Sequence, residues 1–435
     1  MFIEKRRGVG GVFVTERSLT RRSVLAAGST GALAATAGCV GEGAVLGMQD
    51  RGTNPTAAIL EDRSGTFALT GTAKYRTTKL AIEEINRDGG FLGEELEVFA
   101  PDPQSDNMRY QDLARHAIYQ EDADVLWAGY SSATREAIRP LINEHEQLYF
   151  YTTQYEGGVC DKTVFPLGAT ARQQLGAVVP HMIEEFGDEI YTVAADYNFG
   201  QLSGDWVKII AEEHGAEVVG EEYIPLDESQ FGSTINNIQS AEPDFVMSML
   251  VGQDHSAFYE QRLASGLTDV PIGTSTNMAQ EREHLRIDPP ALEDVYAGVN
   301  YMEELPTDRN EDFVERYYER WDDAEYINQE AQNNYFSVYL YKEAVERAGT
   351  FDQAAVIEAL ESGLKVEAPE GEIRLDPQTH HMEHNMRVAH ADENHEISFD
   401  EPRTIEPVFL EEVGCDLTSE AERTQYEPDA FYEEA

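Results

Sequence analysis

The sequence predicts an α/β fold made of two doubly wound parallel-sheet lobes. Short apolar runs of strand length alternate with amphipathic stretches of helix length, which favours parallel sheets covered by helices on both faces. The alternation occurs as two successive series, and each series is long enough for one lobe. The length of 435 residues also exceeds what one compact core usually fills, so about two folding units are expected.

The first series begins with the apolar strand 56–60 and the helix 72–86, and the pair Gly89-Gly90 ends this helix. The series continues with strand 96–100, helix 108–120, strand 124–128, helix 133–144 and strand 148–151. Each strand is therefore followed by one helix, as in a parallel sheet.

The second series opens at Thr170, a residue type that caps helices, ahead of a helix reaching residue 185. It continues with strand 190–194, helix 200–214, strand 218–224, helix 232–240, strand 244–250 and helix 256–264. Three later helices, at 309–321, 330–348 and 352–364, precede short strands at 371–375 and 386–389. These are more helices than a second lobe needs.

The composition is strongly acidic, with 82 Asp and Glu against 32 Lys and Arg, a formal net charge of -50 and a pI near 4.4. Such a charge repels nucleic acid, so we expect no nucleic-acid partner. The acids are spread along the chain, and hydrophobic residues make up 41% of it, which argues against disorder. A solvated acidic shell of this kind resembles that of halophilic proteins and predicts folding that depends on high salt.

The N-terminus reads as an export signal. Arg21-Arg22 precedes an Ala- and Gly-rich stretch over residues 26–37, followed by Gly38-Cys39, which indicates a twin-arginine lipoprotein signal over residues 1–39. Cleavage before Cys39 would leave an extracytoplasmic protein anchored to the membrane by lipid at the cell surface. The alternative is an ordinary secretory cleavage near Ala37. Residues 40–54 are predicted to be a flexible linker.

Export also changes how the remaining cysteines are interpreted, because thiols outside the cytoplasm tend to pair. Cys160 and Cys415 are the two that remain after Cys39. We hypothesise a disulfide between them that fastens an acidic C-terminal extension, residues 403–435, to the lobe containing Cys160. The alternative is two buried free thiols.

Five short motifs carry a family resemblance: AIEEIN at 81–86, GYSSATR at 129–135, YTTQYEG at 151–157, ADYNF at 195–199 and APEG at 368–371. Over residues 56–399 the chain resembles the type I periplasmic-binding proteins, and within them the urea and short-chain amide receptors of the branched-chain amino-acid transporter group. The resemblance implies a three-crossover hinge near residues 166, 300 and 365. It assigns residues 55–166 and 301–364 to lobe 1 and residues 167–300 and 365–402 to lobe 2.

Candidate ligand-binding residues follow the strands of both series, because ligands of open α/β sheets lie beyond the carboxyl ends of the strands. The predicted site comprises Tyr130, Ser131, Ser132, Tyr151, Thr152, Thr153, Tyr155, Tyr197, Phe199, Gln253 and Asp254. Hydroxyl and amide N–H groups at 130–132 suit a carbonyl oxygen or a carboxylate. The alternative for each tyrosine is packing in the core or between the lobes.

The resemblance implies a solute-binding protein that closes its lobes over a small polar ligand and delivers it to the permease and ATPase subunits of an ABC transporter, without a cofactor. The ligand is expected to be urea or a short-chain amide, with a branched-chain or other amino acid as the alternative. Urea receptors commonly carry an asparagine-glycine-aspartate run where this chain has VGQDH at 251–255. Asp254 suits either amide N–H groups or an ammonium group.

An enzyme is the competing class, since His380, His381 and His384 resemble a metal-ligand cluster. Their spacing differs from the His-Glu-x-x-His zinc helix, and the sequence contains no Gly-x-Ser-x-Gly elbow and no phosphate loop. A metal-dependent hydrolase is therefore the less favoured hypothesis, and we expect neither a metal site nor enzymatic activity.

Overall fold

Two large β-sheets organise the part of the chain that the computed structural model describes, namely residues 54–226, 228–251, 256–280, 282–405, 415–419 and 421–426. All of these residues belong to one compact unit spanning residues 50–435. The predicted signal over residues 1–39 with Cys39, and the linker up to residue 53, lie outside the described residues. None of the described helices combines the length and the apolar composition needed to cross a bilayer.

The first sheet is parallel and has the strand order β2-β1-β3-β4-β6. Its elements are β1 (Thr56–Leu60), α1 (Ala68–Arg87), β2 (Glu97–Phe99), α2 (Asn107–Tyr119), β3 (Val125–Ala128), α3 (Ser132–His145), β4 (Tyr149–Tyr151), β5 (Val159–Asp161) and β6 (Val164–Pro166), of which β5 lies outside the sheet. Strand β3 is buried along its whole length, because helices cover both faces and the run VLWA is apolar throughout.

The second series supplies five parallel strands in the order β11-β10-β9-β7-β8. Its elements are α4 (Ala171–Phe186), β7 (Glu189–Ala195), α5 (Asn198–Glu213), β8 (Glu217–Ile224), α6 (Gly232–Ala241), β9 (Phe245–Met249), α7 (Ser256–Ser265), β10 (Ile272–Thr274), α8 (Glu283–Arg286) and β11 (Val295–Val299). The α4 helix begins with a capping box in which the Thr170 and Gln173 side chains each bond to the backbone of the other residue.

The later helices return to the first lobe. They are α9 (Asp308–Arg320), α10 (Gln329–Ala348) and α11 (Gln353–Leu360), followed by the antiparallel strands β12 (Lys365–Ala368), β13 (Gly371–Leu375) and β14 (Met382–Glu383). Side chains of α10 pack around Trp127 in the same core as Val366 of β12 and Ile373 of β13. The chain therefore does not cross to the second lobe near residue 365, as predicted, but after β14. Alternate residues of β12 point into the first core, which continues through Met382.

The chain joins the second sheet again at β15 (Asn385–Ala391), which pairs antiparallel with β11 and with β16 (Ile397–Phe399) and β17 (Arg403–Thr404). The last described strand, β18 (Arg423–Gln425), pairs antiparallel with β5. Cys160 of β5 forms a disulfide with Cys415, at an Sγ–Sγ distance of 2.04 Å. The described C-terminal residues are thus held against the segment that follows β4.

Candidate functional site

The carboxyl ends of strands from both sheets face one small cavity of about 20 Å³. Loops after β3 and β4 supply one wall, and loops after β7, β9 and β10 supply the other. The lining residues are Tyr130, Ser131, Ser132, Tyr151, Thr153 and Gln154 from the first lobe and Tyr197, Phe199, Val251 and Gln280 from the second. This is where open α/β sheets bind ligands, so we take this cavity, called the cleft below, as the candidate site.

A larger cavity of about 960 Å³ lies at the opposite edge of the first sheet. Its lining includes Thr56 at the start of β1, Glu97 at the start of β2 and Asp124 just before β3. These positions are amino ends of strands, where the βα loops that build α/β ligand sites do not converge. The cleft is therefore the better candidate despite its smaller volume.

The structure brings seven of the predicted residues together in the cleft: Tyr130, Ser131, Ser132, Tyr151, Thr153, Tyr197 and Phe199. Gln253 and Asp254 lie outside the described residues. Sequence reasoning missed Gln154, Val251 and Gln280, which also line the cleft. Gln154 and Val251 follow strands that the sequence predicts, so the signal that identified the tyrosines was available for them, whereas Gln280 follows β10, which the sequence did not predict.

Thr152 and Tyr155 do not line the cleft. Thr152 is buried, and its side chain contacts α10 instead of the cleft. Its hydroxyl donates to Asn334 Oδ1 on α10. Tyr155 is fully buried beneath the cleft, where its hydroxyl pairs with His381 Nε2 and accepts the Val159 N–H at 3.2 Å.

A buried ion pair supports the Ser132 wall. Ser132 Oγ donates to Glu156 Oε2 at 2.5 Å, and Arg135 Nη2 donates to Glu156 Oε1 at 2.9 Å. Burial alone would raise the pKa of Glu156, but the Arg135 charge and the Ser132 hydrogen bond outweigh it and lower that pKa. Glu156 is therefore ionised and can only accept hydrogen bonds. The one Ser132 hydroxyl proton is committed to it, so the Ser132 oxygen presents acceptor lone pairs to the cleft.

Aromatic rings form another part of the first wall. Tyr151 donates its hydroxyl proton to the Tyr130 carbonyl at 2.7 Å, and Phe67 stacks on Tyr130 with ring centroids 4.4 Å apart. The Arg135 guanidinium lies 5.1 Å from the Tyr151 ring centroid, within cation–π distance. Burial raises the pKa of Tyr151 well above its usual value, so the ring stays neutral.

The Thr153 side chain is held in place by a hydrogen bond from a buried lysine. Lys74 Nζ donates to Thr153 Oγ1 at 2.8 Å and to the Gly129 carbonyl at 2.7 Å, and it pairs with Glu61 at 3.0 Å. Desolvation, only partly offset by Lys74, raises the pKa of Glu61 to about 7. The Lys74 ammonium group is therefore bonded to protein oxygens and does not face the cleft.

The amides of Gln154 and Gln280 face the cleft from opposite lobes and are both held by the first turn of α10. Gln154 Oε1 accepts from Gln329 Nε2 at 2.8 Å, and Gln280 Nε2 donates to Glu330 Oε1 at 3.0 Å. Burial raises the pKa of Glu330 to about 7. One helix of the first lobe therefore contacts both walls.

Charge is absent from the cleft lining in the part of the chain that is described. Its ten lining residues are hydroxyl, aromatic, amide and aliphatic, and none carries a carboxylate or a cationic group. Such a lining suits hydrogen bonding to a neutral solute and supplies no counter-charge for a bare ion.

The histidines of the suspected metal cluster have separate partners. His380 stacks on Phe165 and pairs with Glu361, whereas His384 lies 2.9 Å from Glu370. His381 is buried against Tyr155, and burial lowers its pKa to about 3. Among the described residues, no group of three or more His, Cys, Asp and Glu side chains is placed to hold a metal ion.

A two-lobed α/β fold with a cleft between the strand ends, uncharged among its described residues, is an arrangement suited to binding a small solute. The family model described as "Periplasmic binding protein" matches residues 56–396. The chain therefore belongs to the periplasmic binding protein family, and its fold is that of the type I members.

Individual relatives agree with this assignment. The Leu/Ile/Val-binding protein homolog 7 of Brucella melitensis is 22% identical over 322 residues, which are 70% of this chain and 80% of that protein. The crystal structure of a leucine-, isoleucine-, valine-, threonine- and alanine-binding protein from Brucella ovis, in a closed conformation, is similar with a TM-score of 0.75 at 20% identity, covering 82% of this chain and 97% of that one. An amino acid ABC transporter substrate-binding protein from Pseudomonas fluorescens gives a TM-score of 0.73 at 19% identity, covering 83% and 98%.

Proposed function

We propose that this chain is the solute-binding component of an ABC transporter and captures a small neutral solute with N–H groups, such as urea or a short-chain amide. The observation that carries the proposal is the cleft itself, which is uncharged among its described residues and leaves only about 20 Å³ between the lobes. That volume is close to what one water molecule needs, so a compact solute fits with the least further opening.

The chemistry of the walls supports the same ligand class. Ser132 offers an acceptor because its proton is committed to Glu156, and the Gln154 and Gln280 amides are placed on either side. Tyrosine rings at 130, 151 and 197 provide flat apolar surfaces for a planar solute. Urea and acetamide are planar, carry N–H donors and a carbonyl acceptor, and bring no charge that must be neutralised.

An amino acid is the second candidate, and the names of the relatives favour it, since these include Leu/Ile/Val-binding proteins. Its ammonium group requires a carboxylate or several aligned carbonyl groups. Asp254, outside the described residues, is the sequence candidate for that role. A leucine side chain would also require wider separation of the lobes than urea does.

Calorimetric titration in concentrated salt distinguishes the two candidates, with urea, acetamide, leucine and glutamate as ligands. We expect urea or acetamide to bind with a Kd on the order of micromolar, equivalent to about -8 kcal/mol. Ser132→Ala should weaken that affinity about tenfold. Ser240→Ala, on the exposed face of α6, is the matched control and should change nothing. Binding of leucine or glutamate alone would replace the first candidate by the second, and binding of none would reject both.

The remaining steps of transport follow the family. We propose that the lobes close over the solute, that the closed form is recognised by a membrane permease coupled to an ATPase, and that Cys39 carries the lipid that keeps the protein at the cell surface. Cys39→Ser should then shift the protein from the membrane fraction to the medium. We also propose that the chain changes no covalent bond of its ligand, so urea incubated with it should be recovered quantitatively.

A further inference from the structure

The C-terminal strand β18 ends against the back of the cleft wall. The Gln425 side chain donates from Nε2 to Glu156 Oε1 at 2.8 Å and to the Gly157 carbonyl at 3.3 Å, while its Oε1 accepts from Arg135 Nη2 at 3.2 Å. One carboxamide thus contacts both members of the buried ion pair. Its oxygen faces the cation and its NH₂ group faces the anion.

That ion pair is one hydrogen bond away from the cleft. The Glu156 oxygen contacted by Gln425 is Oε1, and the other oxygen, Oε2, accepts the Ser132 proton. The three side chains therefore form a continuous series from the C-terminal strand to the surface that faces the ligand. Because Glu156 is the middle member of this series, a displacement of its carboxylate by Gln425 would change the orientation of the Ser132 hydroxyl.

The backbone holds β18 in a single register. Gln425 pairs with Val159 of β5, and the Tyr426 N–H donates to the Gly158 carbonyl at 2.8 Å. Gly158 has a φ of +89°, and a Cβ at this position would lie 1.8 Å from the Tyr426 carbonyl oxygen. Only glycine permits this approach of the two backbones. The Gln425 carboxamide is therefore delivered to Glu156 by a rigid contact.

We propose that Gln425 is a positioning residue of the ligand site, acting through Glu156 to hold the Ser132 hydroxyl as an acceptor for a ligand N–H group. This role rests on the proposed function, because it gives β18 an effect on ligand affinity. It also makes the part of the extension that contains β18 a component of the binding wall.

A double-mutant cycle on calorimetric affinity tests this role. Gln425→Met keeps the size of the side chain and removes its hydrogen bonds, so we expect the affinity for the solute that binds the wild type to fall about tenfold. In a Ser132→Ala background the same substitution should have little further effect, because both changes act on one series of contacts. Arg423→Met, two residues earlier on β18, is the control, and its side chain faces Glu146 at 3.9 Å. Additive losses would assign Gln425 a merely structural role and overturn the proposal.

A crystal structure of the Gln425→Met protein separates this proposal from the proposed function. If the wild type binds none of the four solutes, the proposed function fails, yet the structure still reports on the Ser132–Glu156 contact. We expect this contact to be broken or reoriented in the variant. An unchanged Ser132 hydroxyl beside an unchanged Glu156 carboxylate would overturn the positioning role.

Discussion

Replacing Arg135 by methionine removes one half of a buried ion pair and leaves the other half without its charge partner. Arg135 is fully buried and Glu156 is 2% exposed, with 2.9 Å between the paired atoms. Ser132 and Gln425 would still donate to Glu156, so the carboxylate keeps these two hydrogen bonds and loses the Arg135 cation together with the hydrogen bond from it. Breaking such a pair at one side costs about 3–5 kcal/mol, and we expect a loss of this size in the free energy of unfolding.

Guanidinium chloride denaturation at neutral pH measures this loss, and guanidinium is preferred because urea is a proposed ligand. Arg115→Met, on α2, is the control. Its side chain is 54% exposed and pairs with the exposed Asp112 at 3.3 Å, so a change within about 1 kcal/mol is expected. A loss for Arg135→Met no larger than that of the control would refute the assignment of the ion pair as a structural element of the cleft wall.

The pH dependence gives a second measure with a definite sign. The pKa of Glu156 is lowered in the folded wild type, so its stabilising contribution is present above the unfolded pKa of about 4.3 and is lost as the pH falls through the folded pKa. Without Arg135, burial raises this pKa instead. The variant should therefore recover part of its stability relative to wild type on mild acidification, and a constant difference between pH 5 and pH 8 would contradict this explanation.

Three further predictions concern stability. Cys415→Ser removes a disulfide that joins residues 255 apart in sequence, and we expect the free energy of unfolding to fall by about 2–5 kcal/mol, measured by a thermal melt under oxidising conditions. Identical melting of the wild type with and without reductant would contradict the disulfide. Glu330→Gln should stabilise the protein at pH 8. The pKa of Glu330 is raised to about 7, so the stability of the wild type falls as the pH rises from 4.5 through 7. The variant should lack that fall in a series of thermal melts across this pH range. Dilution from concentrated to low salt should lower the melting temperature, since a net charge of -50 repels itself without screening, and a melt that is insensitive to salt would count against a halophilic shell.

The βα alternation could be predicted from sequence because apolar periodicity reports burial directly. The lobe that holds β12 and β13 could not, because Val366 and Ile373 are equally compatible with either core, and only tertiary packing assigns them. Strand β10 has three residues with Gly273 at its centre, too few for a recognisable period. Gln280, which lies beyond it, was missed for the same reason.

Within the site, the rule that ligands lie beyond strand ends predicts Tyr130, Tyr151 and Tyr197, which line the cleft, but it does not distinguish them from every neighbour. Thr152 and Tyr155 were included with Tyr151 and Thr153 because they are adjacent in sequence, but their side chains contact Asn334 and His381 instead of the cleft. The role of Glu156 was not recognised either. A glutamate next to a glycine pair gives no sign that Arg135, 21 residues earlier, will neutralise it.

The contacts of α10 with both walls bear on how the cleft opens. Gln280 belongs to the second lobe and Glu330 to the first, and their hydrogen bond joins protein groups to each other instead of protein to ligand. Such a bond stabilises the arrangement of the lobes in this structure whether or not a solute is present, and the proposed opening would break it by moving Gln280 away from α10. In the proposed closure, this hydrogen bond lowers the free energy of the closed form relative to the open form. A small solute that makes few contacts therefore needs less binding energy to shift the equilibrium toward the closed form.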